Sequence, residues 1–411
     1  MKKVILSAAV LFCGATLFAQ SNDSKVTQSG NDNDNIVTQT GDENRSRVRA
    51  FGDDNGTFVN QTGTSHNSVV ELAGSPGGSD DNLVNVDQFG GDDNNILVDV
   101  SGDSNIVDVD QDGNNNNAGD EFLPGAGVNI TGDGNEAILN QDGDDNFGDT
   151  WVEGNDNFSN LRQRGDLNNS EVSQMGDLNR SVLRIGGDGN ITTLEQIGDR
   201  NNSVTEISGP GGSNFNMVDI DQVGDDNGML VDVNGDLNDV DVRQYGDRNN
   251  ANDDFLPGEG INIIGDDNTA EIVQSGDDNN SYIRTTGDDN SAKTAQVGNM
   301  NESDIVQEGD NNNAYARSEG NNNTSSIEQY GDHNTGVLIG GGQVGDLNQS
   351  TMLQTGDHNT SRVSQFGDEN ISEVTQTGDW NVSDVLQEGE SHMSTVDQMG
   401  NNNMSDVHQS N

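Results

Sequence analysis

The sequence predicts an all-β fold: a parallel β-solenoid with two strands in each coil of about 22 residues, the coils stacked in a cross-β-like column. Three observations predict it. The pattern Asn-x-Ser-x-Val-x-Gln-x-Gly returns every eleven residues along nearly the whole chain. Asn168-Ser170-Val172-Gln174-Gly176 is one copy; Asn359-Ser361-Val363-Gln365-Gly367 and Asn370-Ser372-Val374-Gln376-Gly378 are two more, back to back. Within a copy the recurring residues stand two apart, the period at which side chains share one face of a strand. Between copies runs Gly-Asp-x-Asn, a turn in which glycine is free to take positive φ and Asp or Asn can bond its own backbone.

The composition alone would argue for disorder. Hydrophobic residues make up 29%, aromatics 4%, and the formal net charge is −55 with a pI near 4.1, too little apolar surface to offset chain entropy in an ordinary globule. A stack removes that objection. Neighbouring strands satisfy each other's backbone, and identical side chains in register form amide ladders of Asn and Gln.

The elements follow in order. Residues 1–19 read as a secretory signal, with Lys2 and Lys3 ahead of an apolar run from Val4 to Phe18 that is too short for a membrane span. Cleavage is expected near Ala19 or Gln20, and it removes Cys13, the one cysteine of the chain. Residues 20–411 read as continuous repeats whose turn glycines mark the register, as at Gly143, Gly154, Gly165, Gly176, Gly187 and Gly198. The fourth inward position alternates between Gln and an apolar residue (Gln39, Ala50, Gln61, Leu72), so the unit is two strands and two turns. About sixteen coils at ~4.8 Å each give a rod of roughly 80 Å. The alternation slips where Gln163 is followed by Gln174 and again at Gln296 and Gln307; beyond Gln343 both strands carry Gln, as at Gln387, Gln398 and Gln409. Insertions near 75–82, 114–130, 210–216 and 249–262 interrupt the count and hold all four prolines. They repeat: Ser75-Pro76-Gly77-Gly78 is matched by Gly209-Pro210-Gly211-Gly212, and Phe122-Leu123-Pro124-Gly125 by Phe255-Leu256-Pro257-Gly258, so a block of about 130 residues looks duplicated. Such insertions are expected to bulge from one edge of the solenoid.

These residues resemble the curlin repeat, Ser-x5-Gln-x-Gly-x2-Asn-x5-Gln, of curli-type fibre subunits. Gln163, Gly165, Asn168 and Gln174 carry its second half; Asn381, Ser383, Gln387, Gly389 and Gln398 carry it with His392 in the place of the turn Asn. The similarity runs over the chain from residue 20 onward, in a form longer and more acidic than a five-repeat curlin and with added loops. The resemblance implies a functional amyloid: a subunit secreted through an outer-membrane channel, nucleated at the cell surface and polymerised outside the cell into fibres for biofilm matrix and adhesion. Its implied partners are further copies of itself, a nucleator and the secretion channel.

The ends point the same way. The pattern starts at Val26 and Gln28 and runs to Asn403-Ser405-Val407-Gln409 with no capping helix at either side, and open strand edges favour head-to-tail addition into a filament. The alternative is a monomeric adhesin or stalk stabilised by Ca²⁺. The Asp after the turn glycine recurs at Asp166, Asp177, Asp199, Asp346, Asp357, Asp368 and Asp379. Stacked one coil apart, such carboxylates repel by about 0.9 kcal/mol per pair in water, which makes them gatekeepers against premature assembly, solvated or screened by ions. Calcium sites are the other reading, although the glycine-rich nonapeptide of calcium solenoids has a different period.

No cofactor, metal cluster or catalytic constellation emerges. His333 and His358 occupy the x of Gly-Asp-x-Asn, His66 and His392 replace the turn Asn, and His408 lies on an outward strand position; all five read as structural substitutions. Phe89, Tyr245, Tyr330 and Phe366 fall between Gln and Gly, outward and near a turn. The two Phe-Leu-Pro-Gly loops, with Phe122, Leu123, Phe255 and Leu256, are candidates for lateral contact between filaments. The strong negative charge excludes a phosphate-backbone partner such as nucleic acid. Mixed outward residues exclude a flat threonine array for ice. No second apolar run provides a membrane span.

Overall fold

A computed structural model describes residues 21–73, 79–116, 127–209, 212–249, 260–338 and 343–411. The signal segment at 1–19 and the loop residues Phe122, Leu123, Phe255 and Leu256 lie outside the described residues. Thirty-four strands, numbered β1 (Asp23–Ser29) to β34 (Met404–Ser410) in chain order, and no helix make up the described chain. They form two parallel sheets of 18 and 16 strands. Apart from one arm that is broken into two short strands, successive strands alternate between sheets, so each pairs with the one two places on, and two strands with their two turns close one coil.

Most strands have seven residues, of which the second, fourth and sixth point inward, as the period of two requires. In β13 (Asn169–Met175) these are Ser170, Val172 and Gln174, and only they are buried throughout. Register is unshifted from coil to coil: β13 pairs with β15 (Ile191–Ile197) as Ser170 with Thr192, Val172 with Leu194 and Gln174 with Gln196. The core is a narrow seam between the sheets. Its largest buried side chains are Leu and Ile, such as Leu161, Leu183, Leu194 and Ile220, with Met229.

The slip in the Gln alternation has a topological cause. Gln88, Gln111, Gln141 and Gln163 lie in the second sheet, whereas Gln222, Gln244, Gln274 and Gln296, each about 133 residues further on, lie in the first. The strands that carry each pair, for example β6 (Leu83–Phe89) and β17 (Met217–Val223), stand eleven apart. Eleven is odd, so the duplicated block returns half a coil out of phase and every feature changes face. The strands that follow the insertions change sheet with it. The insertion at 117–126 leads into β9 (Val128–Thr131) of the first sheet, and that at 250–259 into β20 (Ile261–Ile264) of the second. The expectation of insertions along one edge is therefore corrected: their anchors Asn116 and Asn249 belong to opposite edges. A further interruption at 339–342 splits one arm into β27 (Thr335–Val337) and β28 (Gln343–Val344).

The turns hold one feature that the residue types conceal. Glycine takes positive φ, 118° at Gly165 and Gly176, but so does the x of Gly-Asp-x-Asn: 60° at Leu167, 61° at Leu178 and 61° at Trp380. A left-handed conformation costs a bulky L-residue roughly 1–2 kcal/mol. Here it turns the x amide along the stack, where Leu167 N–H donates to Asp144 O at 3.0 Å and Leu178 N–H to Asn155 O at 2.9 Å.

Candidate functional site

The surfaces by which one coil holds the next are the candidate site, and they begin with the turn asparagines. The side chain of Asn168 is buried. Its Nδ2 donates to Asn146 Oδ1 at 3.0 Å and to Gly187 O at 2.8 Å, while its Oδ1 accepts the backbone N–H of Asn190 at 3.1 Å. Asn359 and Asn370 repeat this, donating to Asn334 Oδ1 and Asn348 Oδ1, both at 3.1 Å. One such ladder runs along each edge of the rod. Both histidine replacements keep the backbone link to the coil before. Buried His66 donates its backbone N–H to Asn44 Oδ1 at 3.0 Å and accepts the Asn94 N–H of the next coil on Nδ1 at 3.3 Å, while Nε2 faces Thr62 O at 3.3 Å, and burial lowers its pKa. His392 N–H donates to Asn370 Oδ1 at 3.0 Å.

The glutamines form the second set of ladders. Gln174 Nε2 donates to Gln196 Oε1 at 2.9 Å, Gln365 to Gln387 at 2.9 Å, Gln376 to Gln398 at 2.8 Å and Gln387 to Gln409 at 2.8 Å. Where the column changes sheet, the ladder ends have distinct fates. Gln163 closes one column by donating to Phe147 O at 2.8 Å and Ser170 Oγ at 3.0 Å. Gln174 and Gln307 each open a column with a buried Oε1 that no donor reaches among the described residues. At Gln343 that oxygen is covered by the hydroxyls of Ser318 (3.0 Å) and Ser325 (2.8 Å).

Serine and valine contribute differently. Val172, Val363 and Val374 stack in the core. The buried hydroxyls of Ser361 and Ser383 lack a partner among the described residues, while Ser372 receives a bond from Ser394 at 3.2 Å. A serine side chain is too short to bridge two coils regularly, so this position supplies small size more than hydrogen bonds. Glycines Gly367 and Gly378 take φ of 105° and 109° in the turns.

The turn aspartates are not simply solvated. One carboxylate oxygen of each accepts a backbone N–H from the coil before: Asp166 from Asp144 at 2.8 Å, Asp177 from Asn155 at 2.7 Å, Asp199 from Asp177 at 2.9 Å. Asp346, Asp357, Asp368 and Asp379 do the same for Asn321, Asp332, Asp346 and Asp357. Asn serves equally well, as Asn155 shows by accepting from Asp133 at 2.9 Å, and each Asn interrupts a run of negative charge. Among the described residues no group of three or more His, Cys, Asp or Glu is placed to hold a metal ion.

Several carboxylates on the sheet faces are held above the usual carboxylate range by burial. Burial raises Asp110 to about 6, helped by Asp87 and Asp108. Burial also raises Asp149 to about 6, against the opposing hydrogen bond from Gly127. Asp99, Asp108, Asp232 and Asp241 are raised by burial too. A carboxyl whose folded pKa is raised stabilises fully below its unfolded value and loses that contribution as pH climbs through about 6. Asp226 and Asp278, held low by Arg200 and Arg248, act oppositely but only near and below pH 4. His66, lowered by burial, opposes the gain below about pH 6.5 as a single group. Thermal melts should therefore show higher stability at pH 5 than at pH 7.5. The double variant Asp110→Asn, Asp149→Asn should flatten the difference; a wild-type chain less stable at pH 5 refutes this.

On the outer surface, Tyr245 is 41% exposed, in line with its outward assignment. One turn column carries His333, His358 and Trp380 on consecutive coils, with ring centroids 4.7 Å and then 4.1 Å apart. His333 and His358 thus come together although 25 residues separate them; stacking of equivalent x positions is the signal that finds them. His408 lies 3.6 Å from Glu388 on a strand face.

Six segments of the chain match the curlin associated repeat: residues 102–143, 212–246, 265–298, 298–331, 342–367 and 367–400. No curated protein matches the chain.

Proposed function

Because the chain is a curlin-repeat protein, we propose that it is a secreted structural subunit that joins head to tail with further copies of itself into an extracellular amyloid fibre, serving biofilm matrix and adhesion. One observation carries the reading. The Asn, Gln and Asp ladders recur in unshifted register from coil to coil, so an uncovered coil presents donors and acceptors of the kind that a neighbouring coil presents inside the stack. In the outermost described coils these groups are open: every residue of β1 is exposed, and Val407 and Gln409 of β34 are only partly covered, whereas their equivalents Val385 and Gln387 are buried. A surface of this kind templates its own continuation. The work is mechanical, and the ladders are its machinery. Secretion through an outer-membrane channel and nucleation by a partner complete the proposal. No helix among the described residues is long and apolar enough to cross a membrane.

The test uses residues 21–411 diluted from denaturant. Unbranched filaments with a reflection near 4.8 Å along the axis, accelerated by preformed seeds, are the expected result. A compact monomer that never elongates, with or without Ca²⁺, overturns the proposal and leaves a stalk or adhesin in its place.

A further inference from the structure

We propose that His333 and His358 form a surface site for a late first-row transition-metal ion, with Trp380 stacked beneath it. The geometry is set by the backbone. His333 N–H donates to Asp310 O at 2.9 Å, His358 to Asp332 O at 2.9 Å and Trp380 to Asp357 O at 3.0 Å, so the three residues are pinned one coil apart. All three hold the same left-handed conformation, with φ of 57°, 57° and 61°. Their side chains leave the turn edge in parallel. The imidazole centroids lie 4.7 Å apart with planes inclined by 35°, and the indole stacks on His358 at 4.1 Å and 20°. Among the described residues both imidazoles interact through this stack alone.

Imidazole nitrogens bind such ions at about 2.0–2.1 Å. Two nitrogens on one ion then stand roughly 3–4 Å apart, closer than the 4.7 Å between the ring centroids, so binding turns the two imidazoles toward a shared point. Neutral imidazole suits Cu²⁺, Zn²⁺ and Ni²⁺ and is a poor ligand for Ca²⁺. The field favours a cation: Asp332 and Asp357 immediately precede the two histidines, and the chain carries a formal charge of −55. Two imidazoles leave the remaining coordination positions to water. The other histidines form no such pair: His66 is buried in an Asn ladder, His392 holds an Asn position, and His408 faces Glu388. The fold does not demand rings here. Asn311 and Asn402, at the equivalent turn position in the same column, take φ of 58°. Aromatic stacking alone would account for the contact but would give it no affinity for metal.

The chain has two tryptophans, so Trp151→Phe leaves Trp380 as the sole reporter. With this untagged variant at pH 7.5, Cu²⁺ should quench the fluorescence saturably at one ion per chain. His333→Asn and His358→Asn should each weaken the binding by roughly tenfold or more and the pair together should abolish it, while Ca²⁺ leaves the emission unchanged. Asn is native at this turn position, so both variants fold, and unchanged circular dichroism verifies it. Quenching that never saturates, or that survives intact in the double variant, overturns the proposal.

Discussion

Asn168→Ala should lower the stability of the stack by about 4 kcal/mol, far beyond the ordinary effect of a surface substitution. The side chain lies within the rod, 1% exposed. Its removal strips two acceptor bonds from the coil above, since Asn168 Oδ1 takes both the backbone N–H and the Nδ2 of Asn190 at 3.1 Å. It also strips two donor bonds, to Asn146 Oδ1 at 3.0 Å and Gly187 O at 2.8 Å. Each buried group left unsatisfied costs about 1–3 kcal/mol, whereas a hydrogen bond exchanged with water is worth about 1 kcal/mol. Position along the rod supplies the control. Asn403, in the outermost described coil, is partly exposed, so water can replace its lost bonds and Asn403→Ala should cost about 1 kcal/mol. Asn168→Asp should be no better than alanine, because a carboxylate would then face the oxygens of Asn146 and Gly187. Urea denaturation of the three variants checks the ranking; equal losses at positions 168 and 403 would show that the ladder contributes no more inside the rod than at its end.

The strand was readable in the sequence, and the stack less so. Ser170, Val172 and Gln174 announce their common face by spacing alone, because side-chain direction in a strand is a local property. The two-strand coil was legible from the alternation of Gln39, Ala50, Gln61 and Leu72. What escaped was whatever depends on how equivalent positions meet one coil apart. The change of sheet between Gln163 and Gln174 follows from an odd number of strands in the duplicated block, which no local pattern displays. The left-handed Leu167 and Trp380 contradict their own propensity, because the bond their amides make lies in the neighbouring coil. The turn aspartates look like solvent-facing charge in sequence. Only stacking reveals that Asp166 accepts a backbone amide. The candidate contacts at Phe122 and Phe255 rest on loop composition alone; the described residues that flank the two loops, Asn116 and Asn249, belong to different ladders.

Gly176→Ala should be at least as damaging as the loss of Asn168, with a cost of about 4 kcal/mol or more. Gly176 has φ of 118°, a conformation that L-residues rarely adopt, and a Cβ there would stand 2.1 Å from Gly198 O and 2.7 Å from Gly198 C. Those atoms are backbone of the next coil, tied on both sides by strand ladders, so the clash cannot be relieved by rotating a side chain. Relief requires the two coils to part, and parting removes the Asn, Asp and Gln bonds of that interface together. In a stack whose stability is carried by nearest neighbours, one damaged interface divides the rod into two shorter and independently less stable segments. Gly186 provides the contrast. It lies at the outward end of β14 (Arg180–Gly186), its φ is not in the left-handed region, and an added Cβ would meet only Ile207 O at 3.5 Å. Gly186→Ala should therefore be neutral, or stabilising by about 0.5 kcal/mol through the lost freedom of the unfolded chain. Ser79 and Ser213, which stand in the turn glycine's place, follow the inserted loops and lack the positive φ of the regular turns, so they do not license alanine at 176. Hydrogen exchange read along the rod separates the cases: Gly176→Ala should expose amides in the coils on both sides of the turn, and Gly186→Ala should leave the protection pattern intact. Equal protection in both variants would mean that the turn can shift to accept a Cβ, and that close backbone approach does not set the coil spacing.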